Sequence, residues 1–151
     1  MNFAFEIIHK NRKILYTFLK EAPLEYLNKI PEGFNNNIFW NIAHVVVTQE
    51  LLVYNLSGLP MIVSDNLVSK YRKGTSPESN ATQEQVDELK TLLFSTYERL
   101  VDDYEKGVFK DYSPYTTSTN TTINNVEEAI NFNLFHEGIH LGYVLALKRV
   151  L

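Results

Sequence analysis

The chain contains no cysteine among its 151 residues. The fold therefore cannot depend on disulfide bonds, and any metal ion must be held by nitrogen or oxygen ligands. Histidine is consequently the ligand of first interest. The hydrophobic content of 44% is enough to build one core, and we expect a single domain over residues 1–151.

An excess of positive charge is also missing, because 14 Lys and Arg residues are outnumbered by 18 Asp and Glu residues, which gives a formal net charge of −4. Proteins that bind nucleic acid carry a basic surface, so no nucleic-acid partner is expected. No apolar stretch approaches the roughly 18 residues that a membrane span needs, so no membrane partner is expected. The first residues lack the basic, apolar and small-residue segments of a signal peptide, which predicts a cytoplasmic protein.

Helical periodicity dominates the sequence. Apolar residues form helical stripes in four long segments, residues 3–20, 38–57, 82–106 and 126–150, and shorter helical turns are expected within 24–29 and 64–73. Thr82 and Gln85 have capping-box spacing, and Asn125 and Glu128 repeat it before the last helix. No convincing strand is found, and the connection over residues 59–81 is long enough to cross a bundle. The predicted fold is all-α, a four-helix bundle with a long crossover between its second and third helices.

The segment FHEGIH, residues 135–140, places His136 and His140 on the last helix with Glu137 between them. Four residues turn a helix by about 400°, so the two imidazoles lie about 40° apart and one turn along, where they can share one ion. Without an ion, the nitrogens of both imidazoles need hydrogen-bond partners within an apolar stripe of the helix. Each buried nitrogen that lacks a partner costs about 1–3 kcal/mol. Histidines satisfied by hydrogen bonds are the alternative, but the spacing favours a metal site.

His44, on the second helix, is the candidate third ligand, because a catalytic metal site commonly has three protein ligands and one open position. At a rise of about 1.5 Å per residue, an antiparallel pairing of the two helices would bring His44 level with His140, and a parallel pairing would bring it within roughly 6 Å of the height of His136, so either topology permits the site. The remaining histidine, His9, lies in a charged neighbourhood and is interpreted as a surface residue.

The order H-E-x-x-H in residues 136–140 is also that of zinc proteases, which take their third ligand downstream of the motif. Only 11 residues follow His140, and none of them is His, Asp or Glu, so the protease interpretation is excluded. Glu137 is turned about 100° from His136 along the helix. It either faces solvent, orients a ligand or acts as a catalytic base.

The segments NIFWNIAHVVVTQELL on the second helix and FNLFHEGIHLGYVLALKRVL on the last resemble the DinB/YfiT-like superfamily of metal-binding four-helix bundles. The resemblance covers nearly the whole chain. It implies that His44, His136 and His140 bind one divalent ion, commonly nickel or zinc, and that the protein forms a homodimer. Activities in that family include thiol-cofactor-dependent transferases and isomerases, and many members are called metal-dependent hydrolases. Glu137 is not part of the family's metal triad.

Two reactions on a small-molecule substrate stay open at this point. Hydrolysis would need a base, for which Glu137 is the only candidate in the motif. Thiol transfer would need a low-molecular-weight thiol cofactor, because the chain has no cysteine to supply the sulfur. Asn41 and Asn133 each precede a histidine by three residues, and each either bonds to an imidazole or substrate or is a buried amide serving the bundle.

Three cations in the crossover, Lys70, Arg72 and Lys73, are either a solvated basic turn or a receptor for an anionic group of a substrate or thiol cofactor. Two further classes of function also stay open. One is a non-catalytic bundle in which the ion or the histidine cluster supports the fold or a dimer interface, and the other is a metal-free binding protein. An exchangeable ligand position would favour catalysis, and full stability after chelation would favour the metal-free protein.

Overall fold

Four long helices make up most of the protein in the computed structural model, which describes residues 1–151. In chain order the helices are α1 (Asn2–Glu21), α2 (Leu24–Asn28), α3 (Ile38–Gln49), α4 (Asp65–Tyr71), α5 (Gln83–Glu105) and α6 (Val126–Val150). The all-α prediction is confirmed. The short helices α2 and α4 also lie within the two segments for which the sequence predicts short helical turns.

Polar side chains cap α3, α5 and α6, whereas α1 begins without a side-chain cap. Thr82 Oγ1 accepts the backbone N–H of Gln85, and Gln85 Oε1 accepts the backbone N–H of Thr82, which completes the predicted capping box of α5. Asn37 before α3 and Asn125 before α6 each accept the backbone N–H three residues later. These caps satisfy donors that the first turn leaves free, so they define where each helix begins.

The helix α3 changes its geometry in its last part and continues as a π-helix over Glu50–Asn55. There the N–H of Leu56 bonds to the carbonyl oxygen of Leu51, five residues earlier, at 3.3 Å. The sequence predicts an uninterrupted α-helix, so this segment is a correction. Glu50 is fully buried, and its Oε2 accepts the N–H of Ile62 at 2.9 Å. The wide turn therefore coincides with a carboxylate that anchors the chain leading to α4.

The extended helix α3 runs in the same direction as α5. The amide of Gln49 donates to the carbonyl oxygen of Thr96, and the hydroxyl of Tyr54 donates to Asp103. The residue numbers of the contacting pairs therefore increase in the same direction along both helices. A chain that joins two parallel neighbours has to pass along the bundle instead of turning at one end. The connection between them holds α4.

Each of α1 and α3 packs against both α5 and α6. Their apolar side chains form two buried clusters, one around Leu15 and Leu93 and the other around Ile8 and Leu100. The clusters occupy different levels of the bundle, and buried polar residues from all four long helices lie between them. No helix combines the length and the apolar character that crossing a bilayer would require.

The loop before α6 contains a small hairpin. The two-residue strands β1 (Tyr115–Thr116) and β2 (Thr122–Ile123) pair antiparallel. The sequence predicts no strand, so this hairpin is a correction. Ile123 anchors it in the core at 1% exposure, and Asn120 adopts a positive φ of 59° in the turn. Strands of two residues are too short to produce a detectable period-two pattern.

Candidate metal centre

Three histidines from two helices converge on one point. His44 lies on α3, His136 and His140 lie on α6, and the Nε2 atoms of His44 and His136 are 3.2 Å apart. One ligand nitrogen from each of the three lies within 4.8 Å of the other two. The ring centroids are between 4.5 and 5.0 Å apart. The structure therefore brings together all the histidines that the sequence predicts as metal ligands.

The antiparallel arrangement of α3 and α6 sets the level at which these residues meet. Asn41 contacts His140, while His44, further along α3, contacts His136, earlier on α6. One turn of helix advances about 5.4 Å. Two successive turns of α6, which carry His136 and His140, therefore lie beside two successive turns of α3.

Hydrogen bonds to oxygen fix the tautomers of two of the imidazoles. His44 Nδ1 lies 2.6 Å from the carbonyl oxygen of Tyr71, and His140 Nδ1 lies 2.8 Å from Oδ1 of Asn41. Both partners are acceptors, so each Nδ1 carries the hydrogen and each Nε2 carries a lone pair. The free lone pairs are then available to a cation.

The orientation of the Asn41 amide is itself determined. Its Nδ2 donates to Oδ1 of Asn36 at 2.9 Å and to the carbonyl oxygen of Asn37 at 2.7 Å. With the nitrogen held by two oxygens, Oδ1 is the atom that faces His140. Of the roles left open for Asn41, the structure shows a bond to an imidazole, and the partner is His140 on α6 instead of His44, three residues later on α3.

Trp40 fixes the plane of the His44 ring. The two rings are stacked with centroids 4.7 Å apart and an interplanar angle of 10°. The indole Nε1 donates to Oγ1 of Thr75 at 3.2 Å, which holds the indole in place. On the other side, Oγ1 of Thr48 lies 3.3 Å from His44 Nε2. Trp40 is thus a packing residue, and it packs against a predicted metal ligand.

Burial keeps the three imidazoles neutral. It lowers the pKa of His136 to about 2, with smaller contributions from His140 and His44. It lowers the pKa of His140 to about 4, with a smaller contribution from His44. Burial also lowers the pKa of His44, against the opposing effect of the hydrogen bond to Tyr71. Neutral imidazole is the form that binds metal, so these groups are ready to bind at neutral pH.

The donor set fits a single divalent ion. Tetrahedral coordination with Zn–N bonds of about 2.0–2.1 Å places neighbouring ligand nitrogens about 3.3 Å apart. The separation of 3.2 Å between the Nε2 atoms of His44 and His136 agrees with that value. Three imidazoles suit nickel, zinc, copper and iron alike, so the geometry supports an ion without naming it.

Glu137 is placed away from the imidazoles, in the core of the bundle. Its side chain is fully buried, and Oε1 accepts hydrogen bonds from Arg12 and Asn133. Of the three positions left open for Glu137, exposure to solvent is therefore excluded, because α1 packs over this face of α6. Of the two roles left open for Asn133, the structure shows the buried amide that serves the bundle, since its amide donates to Glu137 at 3.0 Å and forms no bond with His136.

Arg12 is the residue that sequence reasoning missed most completely. It has 0% exposure, and all its donors are used: Nη2 bonds to Gln49 and Glu137, and Nη1 bonds to Thr96 and the Leu93 carbonyl oxygen. Nε points to Glu137 as well, at 3.2 Å. We call Arg12, Gln49, Thr96, Asn133 and Glu137 the polar layer. The only sequence signal is that Arg12 occupies a core-facing position of α1, between Ile8 and Leu15.

His9 is not the surface residue that the sequence predicts. Its ring lies 5.0 Å from the ring of Tyr97 and 6.1 Å from that of Phe94, and the side chain is half-buried. Its Nδ1 is buried without a hydrogen-bond partner. His9 therefore packs between α1 and α5, outside the group of three histidines.

The three histidines line an open cleft of about 440 Å³. Its walls are formed by the last turns of α3, by α6, by the β1–β2 hairpin and by one crossover residue. The lining residues are His44, Thr48, Leu51, Leu52, Asn55, Leu56, Lys73, Tyr115, Thr117, Ser118, Thr119, Phe132, Phe135, His136, Ile139 and His140. A site of this volume with a few polar groups on apolar walls is typical of small-molecule binding.

The three cations of the crossover have different surroundings. Lys73 lines the cleft, while Lys70 lines a separate crevice beside Trp40 and Tyr71. Arg72 lines neither of these and is exposed. Of the basic residues singled out from the sequence, only Lys73 is therefore in a position to meet a ligand of the cleft.

Comparison with known families gives one match. The family model described as the DinB superfamily matches residues 7–144, a span that includes all three histidines of the site. A comparison with curated proteins finds no match.

Proposed function

We propose that this chain, which belongs to the DinB superfamily, is a metal-dependent enzyme acting on a small molecule. His44, His136 and His140 would hold one divalent ion, with nickel and zinc as the leading choices. The observation that carries the proposal is the convergence of three neutral imidazoles in an open cleft. A structural metal site is usually closed by four protein ligands, and the group here contains three. This weighs against a purely structural ion.

A bound divalent ion would supply Lewis acidity toward a substrate or a thiol. The residues around it have separate tasks. The Tyr71 carbonyl and Asn41 hold two imidazoles in the metal-binding tautomer, and Trp40 holds the plane of His44. The Thr48 hydroxyl, which lines the cleft, is placed to donate a hydrogen bond to a group beside His44.

Of the two reactions, transfer to a low-molecular-weight thiol has the better support from the cleft. No Asp or Glu lines it, and its only histidines are the three metal ligands. Hydrolysis assisted by a general base needs such a group within hydrogen-bond reach of the water it activates. A bound ion would lower the pKa of a thiol so that its proton would leave to solvent water, and this reaction would therefore need no carboxylate in the cleft.

We propose a structural role for Glu137 instead of a catalytic one. The carboxylate does not line the cleft, and its Oε1 is engaged by Arg12 and Asn133. Because Glu137 precedes His140 by less than one turn, its buried ion pair fixes the rotation of α6 about its axis. That rotation determines which way His136 and His140 point.

Cobalt substitution tests the proposed enzyme site. We expect untagged protein to take up one equivalent of Co²⁺, and azide to change the visible absorption, because azide would occupy the open position. Addition of 2-mercaptoethanol should produce a sulfur-to-cobalt charge-transfer band in the near ultraviolet. A spectrum that neither azide nor thiol changes would favour a closed structural site and contradict the proposal.

Chelation distinguishes the proposed metal enzyme from a metal-free binding protein. If the protein binds no metal when purified without a tag, and if EDTA leaves its thermal midpoint unchanged, a metal-free binding protein is favoured. The proposed metal enzyme should instead gain stability on adding the ion, by an amount that increases with ion concentration.

We further propose that the protein forms a homodimer, and its cytoplasmic location stays a prediction. Support for a dimer comes from exposed apolar side chains at one end of the bundle, where Ile14, Tyr26 and Leu145 border a groove of about 680 Å³. Light scattering after size exclusion should give twice the chain mass of 17.5 kDa. The variant Ile14→Glu should give a monomer, and a monomeric wild type would contradict this proposal.

A further inference from the structure

We propose that the cleft selects a molecule with an apolar body and one anionic group, and that Lys73 binds the anionic group. The inference rests on the proposed function only in taking the cleft as the substrate site. The features that carry it belong to the protein and do not require the ion. They are the apolar walls, the single cation and the lack of any carboxylate among the lining residues.

Two helices provide the apolar walls. Leu51 and Leu52 come from the π-helical continuation of α3, Leu56 follows directly after it, and Phe135 and Ile139 come from α6. Phe135 is 52% exposed and Ile139 is 49% exposed. Large apolar side chains one turn apart in a concave site gain free energy when a ligand covers them, at about 25 cal/mol for each Å² removed from water. An apolar body is therefore the part of a ligand that these walls would bind.

Lys73 supplies the charge selectivity. It is the only Lys, Arg, Asp or Glu among the lining residues, and it forms no hydrogen bond or salt bridge in the structure. The protein as a whole carries a formal charge of −4, so a cation without nearby carboxylates is a local departure from its surface. Such a group attracts an anion and repels an amine.

The position of Lys73 orients the ligand with respect to the imidazoles. His44 is bonded to the carbonyl of Tyr71, two residues before Lys73, so the lysine projects from the same segment that orients a predicted metal ligand. Thr117, Ser118 and Thr119 of the hairpin turn also line the cleft. A ligand anchored at Lys73 would thus place its apolar body against Phe135 and Ile139, and its polar substituents would find hydrogen-bond partners in these hydroxyl groups.

Three probes with the same phenylbutyl body test the inference: 4-phenylbutyrate, 4-phenylbutan-1-ol and 4-phenylbutylamine. Their affinities are measured by calorimetry on EDTA-treated protein at low salt, so that no ion can attract the carboxylate. We expect the carboxylate to bind about two- to fivefold more tightly than the alcohol, as for one exposed ion pair, and the amine to bind most weakly. Equal affinities, a preference for the amine, or no binding by any probe would overturn the inference.

Three variants assign the effect to the named residues. Lys73→Gln should bring the carboxylate to the affinity of the alcohol and leave the alcohol unchanged. Lys70→Gln, with the same charge change three residues away in a different crevice, should preserve the wild-type order. Phe135→Ser should weaken the carboxylate and the alcohol by the same factor. A carboxylate preference that survives Lys73→Gln, or is lost in Lys70→Gln, would overturn the role of Lys73.

Failure of this inference and failure of the proposed function give different results. A protein that binds no metal but shows the carboxylate preference contradicts only the proposed enzyme. A protein that binds one equivalent of metal but does not distinguish the probes contradicts only the inference about the ligand.

Discussion

Arg12 and Glu137 form an ion pair that is fully buried, although 125 residues separate them in the chain. The distance from Nη2 of Arg12 to Oε1 of Glu137 is 2.8 Å. The pair lies in the polar layer, between the two apolar clusters of the bundle, and Gln49 and Thr96 bond to the same guanidinium group. All four long helices therefore meet at one set of hydrogen bonds.

Removing one member of this pair should be strongly destabilising. Arg12→Met leaves the Glu137 carboxylate buried without its counter-ion, and we expect the free energy of unfolding to fall by about 3–5 kcal/mol. Urea denaturation of the metal-free protein measures the change. A loss below about 1 kcal/mol would contradict the ion pair as described.

The double variant Arg12→Met with Glu137→Leu is the matched control. It replaces the pair with apolar side chains, and we expect it to recover most of the lost stability. Glu137→Gln keeps the shape of the side chain and removes its charge, and Glu137 lies outside the group of three histidines. In the folded variant, metal content should equal that of the wild type.

Asn41 should tune metal affinity through His140. Asn41→Leu removes the oxygen that accepts from Nδ1 of His140, so the imidazole loses the partner that fixes its tautomer. Metal affinity should fall about 10- to 100-fold, measured by competition with a fluorescent chelator. Asn36→Ala should have a smaller effect, because the Asn41 amide keeps its bond to the Asn37 carbonyl. Unchanged affinity in Asn41→Leu would show that the hydrogen bond does not support the ligand.

The metal-free protein should lose stability as the pH falls below about 6.5. The folded-state pKa of His136 is about 2 and that of His140 is about 4, both below the ordinary value of 6.5. Between the folded-state pKa of each histidine and the ordinary value of 6.5, the unfolded chain binds more protons than the folded chain. In that pH range the free energy of unfolding therefore rises with pH. This contribution is therefore complete above pH 6.5 and decreases progressively toward pH 4.

The variant His136→Phe isolates that effect. It lacks the group whose pKa is lowered to about 2. The free energy of unfolding of the wild type minus that of the variant should therefore decrease as the pH falls from 7 to 5. Comparing the two proteins cancels the contribution of Glu50, whose pKa is raised by burial and which acts in the opposite sense. Urea midpoints measured in EDTA provide the test, and a difference independent of pH would contradict it.

The long helices and the convergence of the histidines could be predicted because both depend on local periodicity. Apolar stripes define the helices, and His136 and His140 occupy the same face by their spacing alone. His44 could be named because few other nitrogen ligands exist in a chain without cysteine. The three-valine run of α3 has β propensity, but its residues are fully buried among the neighbouring helices. Tertiary packing therefore overrides propensity there.

The polar layer could not be predicted, because it depends on pairs of residues distant in sequence. From the sequence alone, Arg12 is interpreted as a surface charge, and only the folded structure shows that α5 and α6 surround it. Glu137 likewise belongs to the histidine motif in the sequence, and only the folded structure shows that α1 covers it. The same reason applies to His9, which packs against rings of α5. The π-helical turn at Glu50 coincides with the bond from Ile62, in a different part of the chain, and apolar periodicity gives no sign of either.

The central claim is that His44 of α3 binds the same ion as His136 and His140 of α6, and elemental analysis of untagged protein tests it most directly. Wild type should contain close to one divalent ion for each chain, and His44→Ala should lose it. The control His9→Phe also removes one imidazole, outside the group of three, and it should keep the ion. A folded His44→Ala protein that retains the full wild-type metal content would contradict the account.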